Sequence, residues 1–229
     1  MARKSYQAEL DALEAGVLEM SDLVCERFRL ALSAYEQRDE ELAEGVITGD
    51  HEINRRYLEL EGECIGLLAL QQPVAGDLRF ITASFKIITD LERVADLATN
   101  VGRYAIEGGR DRYPEIPVVQ IGETTIELVE DAMSAYATND AAATYEIATR
   151  DDDIDARCES ASEVVVRDVL ASGAAVGEAT DGTGDVSPLF EDVSRMLLTI
   201  RDVERVGDHA VNIAARTLNM VENDDELIY

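Results

Sequence analysis

The chain has 229 residues, 48 of them acidic and 20 basic, for a formal charge of −28. That length can bury a sizeable core in one or two domains, and the 46% of hydrophobic residues spread along it exclude a disordered acidic tail. The charge excludes a general nucleic-acid binder, because no basic stripe is present to release counterions from phosphates, and it argues equally against docking on anionic lipid.

Lys4 and Lys86 are the only lysines, the remaining basic residues being arginines. An acidic, lysine-poor surface repels itself, and concentrated salt screens that repulsion within a few ångströms. Much of the charge is therefore read as solvation chemistry in a salt-rich, halophilic cytoplasm. Cys25, Cys64 and Cys158 are far apart and form no Cys-x-x-Cys pair, as expected of reduced, structural thiols. Met1-Ala-Arg-Lys-Ser-Tyr6 leads directly into a polar amphipathic pattern, with no signal peptide and no membrane-spanning apolar run. The expectation is a cytoplasmic protein that is not embedded in a membrane.

Helix formers dominate, and prolines occur only at 73, 114, 117 and 188. Leu10, Leu13, Val17, Met20, Val24, Phe28 and Leu32 recur at helical spacing and predict a helix over about 5–37. A second helix follows over about 39–70 and breaks at Gln71-Gln72-Pro73. A third covers about 74–107, with Leu78, Ile81, Phe85 and Ile88 on one face. Gly108 to Pro117 reads as a linker. Three more helices are expected at about 118–137, 139–171 and 188–222, and strand-like alternation is nowhere sustained. The fold class is all-α.

An internal repeat organises these six helices. Asp90-Leu-Glu92-Arg93-Val-Ala-Asp96 recurs as Asp202-Val-Glu204-Arg205-Val-Gly-Asp208, and Asn100 recurs as Asn212 at the same offset. Earlier in each copy a shorter offset holds: Ala34-Tyr35 matches Ala135-Tyr136, and Asp50 with Ile53 matches Asp151 with Ile154. The difference enters at the Gly-rich stretch Ser172–Ser187, a hairpin tip where added length costs little. Two tandem three-helix bundles result, 1–108 and 118–229 around a linker at 109–117, each expected to have its own core.

Glu92 and Asp96 are spaced i, i+4 on one helix face, a stripe that Asn100 continues, and Glu204, Asp208 and Asn212 repeat it. Counting outward from the turn near Pro73 by equal numbers of residues reaches Asn54 and Asp50 on one side and Glu92 and Asp96 on the other. In an antiparallel helix pair these side chains sit level. The same count around 172–187 sets Asp155 and Asp151 level with Glu204 and Asp208. Carboxylates that face one another would repel or raise one another's pKa unless a cation intervened. All-oxygen ligation suits Mg²⁺, Ca²⁺ or Mn²⁺, and carboxylate-rich sites also accept iron. Asp50, Asn54, Glu92, Asp96, Asp151, Asp155, Glu204 and Asp208 are the candidate metal residues, and the first-copy set, with one charge fewer, should bind more weakly. His51 and His209 adjoin Asp50 and Asp208 but point away from the stripe. Arg93 and Arg205, with Asp90 and Asp202, are read as salt bridges beside it. Glu-x-x-His pairs, a catalytic triad and a phosphate-cradling glycine loop are all missing, so no enzyme is expected.

The run Gln71-Gln72-Pro73-Val-Ala-Gly-Asp77-Leu-Arg79, with Lys86-Ile-Ile-Thr-Asp90-Leu-Glu92-Arg93-Val-Ala-Asp96, resembles the PhoU family of phosphate-uptake regulators, as does Asp202-Val-Glu-Arg-Val-Gly-Asp208-His-Ala-Val-Asn212-Ile-Ala214. The duplicated three-helix unit is that family's layout. The resemblance implies a cytoplasmic accessory protein that restrains phosphate uptake and the starvation response when phosphate is plentiful. Its implied partners are the ATPase subunit of the phosphate ABC transporter and a phosphate-sensing histidine kinase, and its expected assembly is a homodimer. It also implies metal clusters on paired Glu/Asp-x-x-x-Asp motifs, here Glu92 with Asp96, Glu204 with Asp208 and Asp151 with Asp155, holding Mg, Mn, Fe or Zn. Asp50 with Asn54 departs from the motif, and Arg103 and Ala215 stand where family members often carry a glutamate. A carboxylate-bridged metalloenzyme and a purely structural acidic bundle are the alternatives.

Overall fold

A computed structural model describes the backbone of residues 2–71, 73–108, 113–178 and 187–227, and side chains within 6–69, 73–108, 113–171 and 190–227. Six helices account for most of it: α1 (Ala2–Gln37), α2 (Glu40–Gln71), α3 (Ala75–Ile106), α4 (Val118–Thr138), α5 (Ala141–Glu178) and α6 (Ser187–Glu222). No strand occurs among the described residues. Five of the six helices end within a few residues of where periodicity and prolines place them. α5 instead runs past residue 171 to Glu178, because Ala174-Ala175-Val176 carries the helix through Gly173 and Gly177, each of which costs only about 1 kcal/mol. The remainder of the Gly-rich stretch, 179–186, lies outside the described residues.

Both repeats turn from their first to their second helix by the same device. Arg38 and Asn139 adopt left-handed backbone conformations, at φ 56° and 55°, which ends the preceding helix. The next residue then caps the new one: Leu42 N–H donates to Asp39 Oδ1 (3.0 Å), and the N–H groups of Ala142 and Ala143 donate to Asp140 Oδ1 (3.0 and 3.1 Å).

Each repeat packs its three helices against one another, and α1 also packs on α4 and α3 on α6. The helices α1, α3, α6 and α4 therefore form a central ring, with α2 and α5 flanking it on opposite sides. The core differs from the expectation of one per bundle: a single cluster of buried side chains runs from Tyr6 in α1 to Met220 in α6. Tyr136 of α4 shows why. It is fully buried, shares a 2.7 Å hydrogen bond with Ser84 of α3, and stacks on Phe80 of α3 at 6.0 Å, so an apolar face of each repeat finds its cover in the other. At the opposite contact Arg29 donates both Nη atoms to the Glu130 carboxylate (2.7 and 2.8 Å). These are corresponding positions of the two repeats, so the pair marks an approximate two-fold axis.

The three cysteines are free and buried, and burial pushes each thiol up to about 12; packed thiols of this kind are chemically inert. Among the described residues, no helix is long and apolar enough to cross a membrane.

The net charge of −28 acts against this compact arrangement through self-repulsion. Raising KCl from about 0.1 M to about 1 M shortens the screening length from roughly 10 Å to roughly 3 Å. The melting temperature is therefore expected to climb over that range in a differential scanning experiment. A flat or falling curve would show that the acidic surface does not strain the fold.

Candidate metal centre

In the second repeat, α5 presents Asp151 and Asp155 one helical turn apart, and α6 presents Glu204 and Asp208 opposite them. One carboxylate oxygen from each of Asp151, Asp155 and Asp208 lies within 4.8 Å of the others, the only such group among the described residues. Asp155 and Asp208 are exposed, whereas Asp151 forms the floor at 8% exposure. Its Oδ1 is buried and has no hydrogen-bond partner, an arrangement that costs energy unless something compensates the oxygen. Gly207 makes the close approach possible, since a Cβ at that position would overlap Asp151 Oδ1.

Burial, followed by the charges of Asp155 and Asp208, pushes the Asp151 carboxyl up to about 7. Asp155 is raised by burial and then by Asp208, and Glu204 by burial and then by Asp155 and Asp208. Every one of these shifts reflects negative charge crowded together and partly removed from water. An oxygen-only donor set with an orphaned carboxylate oxygen at its base fits a hard cation, with Asp151, Asp155 and Asp208 as the residues that would hold it and Glu204 alongside.

The first repeat brings Asp50, Asn54, Glu92 and Asp96 to the corresponding place, but their partners differ. Asn54 Nδ2 donates to Asp50 Oδ2 at 2.6 Å. Arg93 lies 3.2 Å from Asp96 and 3.5 Å from Glu92. Burial and the Asp96 charge raise Asp50, opposed by the Asn54 hydrogen bond, Arg27 and Arg103. The three carboxylates of this repeat do not converge within one ion's reach as Asp151, Asp155 and Asp208 do.

Between the two acidic faces runs the α3–α6 seam, whose importance the repeat pattern only hinted at. Asp202 is fully buried, and its Oδ2 accepts from Tyr104 Oη (2.8 Å) and Asn100 Nδ2 (3.1 Å), while Arg201 donates to Oδ1 (3.0 Å). Asn100 therefore leaves the acidic stripe and ties α3 to α6. Near the other end, His209 Nδ1 sits 2.9 Å from Asp90 Oδ1, both side chains 13% exposed. His51 is exposed, its Nδ1 2.6 Å from the Thr48 carbonyl oxygen. The recurrence of Asp90 as Asp202 was the available signal for this seam; only the packing of α3 on α6 shows that both aspartates point across it.

The family model described as PhoU domain matches residues 17–105 and 118–217, one segment in each repeat. A Pseudomonas putida protein named "Phosphate-specific transport system accessory protein PhoU homolog" is 30% identical over 225 residues, covering 97% of this chain and 82% of that protein. The crystal structure of PhoU from Pseudomonas aeruginosa superposes with a TM-score of 0.83 at 31% identity, covering 96% of this chain and all of that one. The phosphate transport system regulatory protein PhoU from Streptococcus pneumoniae gives a TM-score of 0.81 at 26% identity, over 96% of this chain and 98% of its own. With both halves of the fold matched, the chain belongs to the PhoU family, whose members are accessory and regulatory proteins and not enzymes.

Proposed function

We propose that this chain is an accessory protein of a phosphate transport system, that it restrains phosphate uptake and the starvation response when phosphate is plentiful, and that a hard cation on its second-repeat acidic face conditions that role. The observation that carries the cation is the orphaned, buried Oδ1 of Asp151 beneath Asp155 and Asp208. The names of its relatives carry the phosphate connection. Oxygen-only ligation favours Mg²⁺, Mn²⁺ or iron over zinc, which more often takes sulfur or imidazole.

The partner is the transporter's ATPase subunit, with a phosphate-sensing histidine kinase as a second partner where one exists. Exposed Leu58, Ile65 and Leu68 along α2, with Val74 and Leu78 at the start of α3, supply apolar surface of the kind that protein contacts use. The same surface suits a homodimer. A cation shared by α5 and α6 would clamp those two helices, and because it binds the folded form it stabilises that form by mass action.

The test uses a strain lacking its own copy of the protein, complemented with wild type or with Asp151→Asn/Asp208→Asn. The expected result is at least a tenfold drop in bound metal by elemental analysis and unrestrained phosphate uptake in high-phosphate medium. Full restraint by a variant that has lost its metal would sink the cation's role, and unaltered uptake without the protein would sink the phosphate role.

A further inference from the structure

The two acidic faces are built from corresponding residues, yet they are neutralised in different ways. Asp50, Asn54, Glu92 and Asp96 occupy the positions of Asp151, Asp155, Glu204 and Asp208. Among the described residues, none of the second-repeat four accepts a hydrogen bond or ion pair from any side chain. In the first repeat Asp50 holds the Asn54 amide at 2.6 Å and Arg93 bridges Glu92 and Asp96. Arg205, the counterpart of Arg93, is exposed and makes no such bridge.

Two further arginines have no counterpart. Arg27 of α1, 13% exposed, reaches the Val46 carbonyl and Glu52, both at 3.4 Å, by lying across Gly49, the residue before Asp50. A Cβ at Gly49 would overlap its guanidinium, so the bare glycine is what admits the arginine. In the second repeat Leu128 replaces Arg27 and is fully buried, and Arg150 replaces Gly49 and pairs with Asp131 of α4. Arg103, 3.0 Å from Asn100 Oδ1, corresponds to the buried Ala215. Asp50, Glu92 and Asp96 thus sit among Arg27, Arg93 and Arg103, whereas among the described residues no arginine pairs with Asp151, Asp155, Glu204 or Asp208, Arg150 being turned to Asp131.

A divalent cation approaching the first face meets carboxylates that already have partners, and it must displace an amide N–H from Asp50 and a guanidinium from Asp96. At the second face it meets uncompensated carboxylates. We infer that this chain loads metal in its second repeat alone, and that Asn54, Arg27, Arg93 and Arg103 hold the first-repeat acidic face together without a cation. The inference rests on the cation reading above, and divides the work of two similar faces: one depends on metal and the other does not.

Counting Mn²⁺ bound to the full chain by electron paramagnetic resonance separates the possibilities. Asp151→Asn/Asp208→Asn is expected to abolish Mn²⁺ binding, and Glu92→Gln/Asp96→Asn to leave the count at the wild-type value. Loss of metal from the Glu92/Asp96 variant would overturn the inference while leaving the cation reading intact; a wild type that binds no Mn²⁺ would overturn both. The variant Arg27→Leu/Asn54→Asp/Arg103→Ala, which gives these three positions the residues found at Leu128, Asp155 and Ala215, is expected to gain bound Mn²⁺. No gain in a variant whose circular dichroism remains fully helical would refute the role assigned to those side chains.

Discussion

Replacing Asp202 by alanine is expected to destabilise the protein by about 3 kcal/mol, which in a chain of this length lowers the melting temperature by roughly 6–12 °C. The carboxylate has no solvent exposure, and its Oδ2 collects hydrogen bonds from Tyr104 (2.8 Å) and Asn100 (3.1 Å) of the other repeat. Truncation removes two charge-assisted bonds and leaves the Tyr104 hydroxyl and the Asn100 amide facing a small apolar void, whereas the exposed Arg201 simply returns to water. Burial and Asp202 push Tyr104 up to about 12, so the phenol keeps the proton that it donates at any ordinary pH. Asp202→Asn keeps the shape and one acceptor oxygen, and should lose about half as much. Urea unfolding of both variants is the measurement, and an Asp202→Ala protein within about 0.5 kcal/mol of wild type would mean that the α3–α6 seam is held by apolar packing alone.

A second large effect concerns pH in the metal-free protein. Asp151 titrates at about 7 in the folded chain and near the ordinary 3.8 when unfolded. Between those values the folded state binds more protons than the unfolded state, so stability falls as pH rises through the window and recovers as pH drops. Asp155 and Glu204, raised in the same sense, add to the slope. After discounting for solvent at the exposed rim, the change amounts to about 1–2 kcal/mol between pH 8 and pH 5, on the order of 5 °C. In chelator the melting temperature should therefore climb on acidification to about pH 5. At still lower pH the trend reverses, because the Arg29 guanidinium holds the Glu130 carboxyl below its usual value and that pair is lost once the carboxyl takes up a proton. Saturating metal should flatten or invert the climb, because protons then compete for the ligands. The Asp151→Asn protein separates this site from the general relief of negative charge: its slope in chelator should be shallower, and its melting temperature at pH 8 higher than that of wild type. An unchanged slope would assign the effect to the surface as a whole.

The residues involved show which parts of this molecule were legible in one dimension. Leu10 through Leu32 announce α1 because a helix needs only its own 3.6-residue period to be recognised. The recurrence of Asp90-Leu-Glu92-Arg93 as Asp202-Val-Glu204-Arg205 announces the repeat. Equal counts from each hairpin set Asp151 and Asp155 against Glu204 and Asp208, because two helices of equal rise run level whatever surrounds them. These are properties of neighbours along the chain, and the order of residues is enough to define them.

Other properties belong to faces that meet across the molecule. The expectation of a separate core in each bundle failed at Tyr136, whose burial depends on Phe80 and Ser84 of the other repeat. The same holds for Asp202, an unremarkable acid in a helical run until α3 covers it. Asn54 gave a sequence-level hint that the first acidic face is the weaker one. The arginine laid across Gly49, and the absence of any such partner for Asp151, required the placement of α1 on α2 and of α5 on α6. Periodicity and spacing act through local backbone geometry and survive in the sequence. Burial and charge balance are sums over everything packed nearby, and the tertiary structure alone performs that sum.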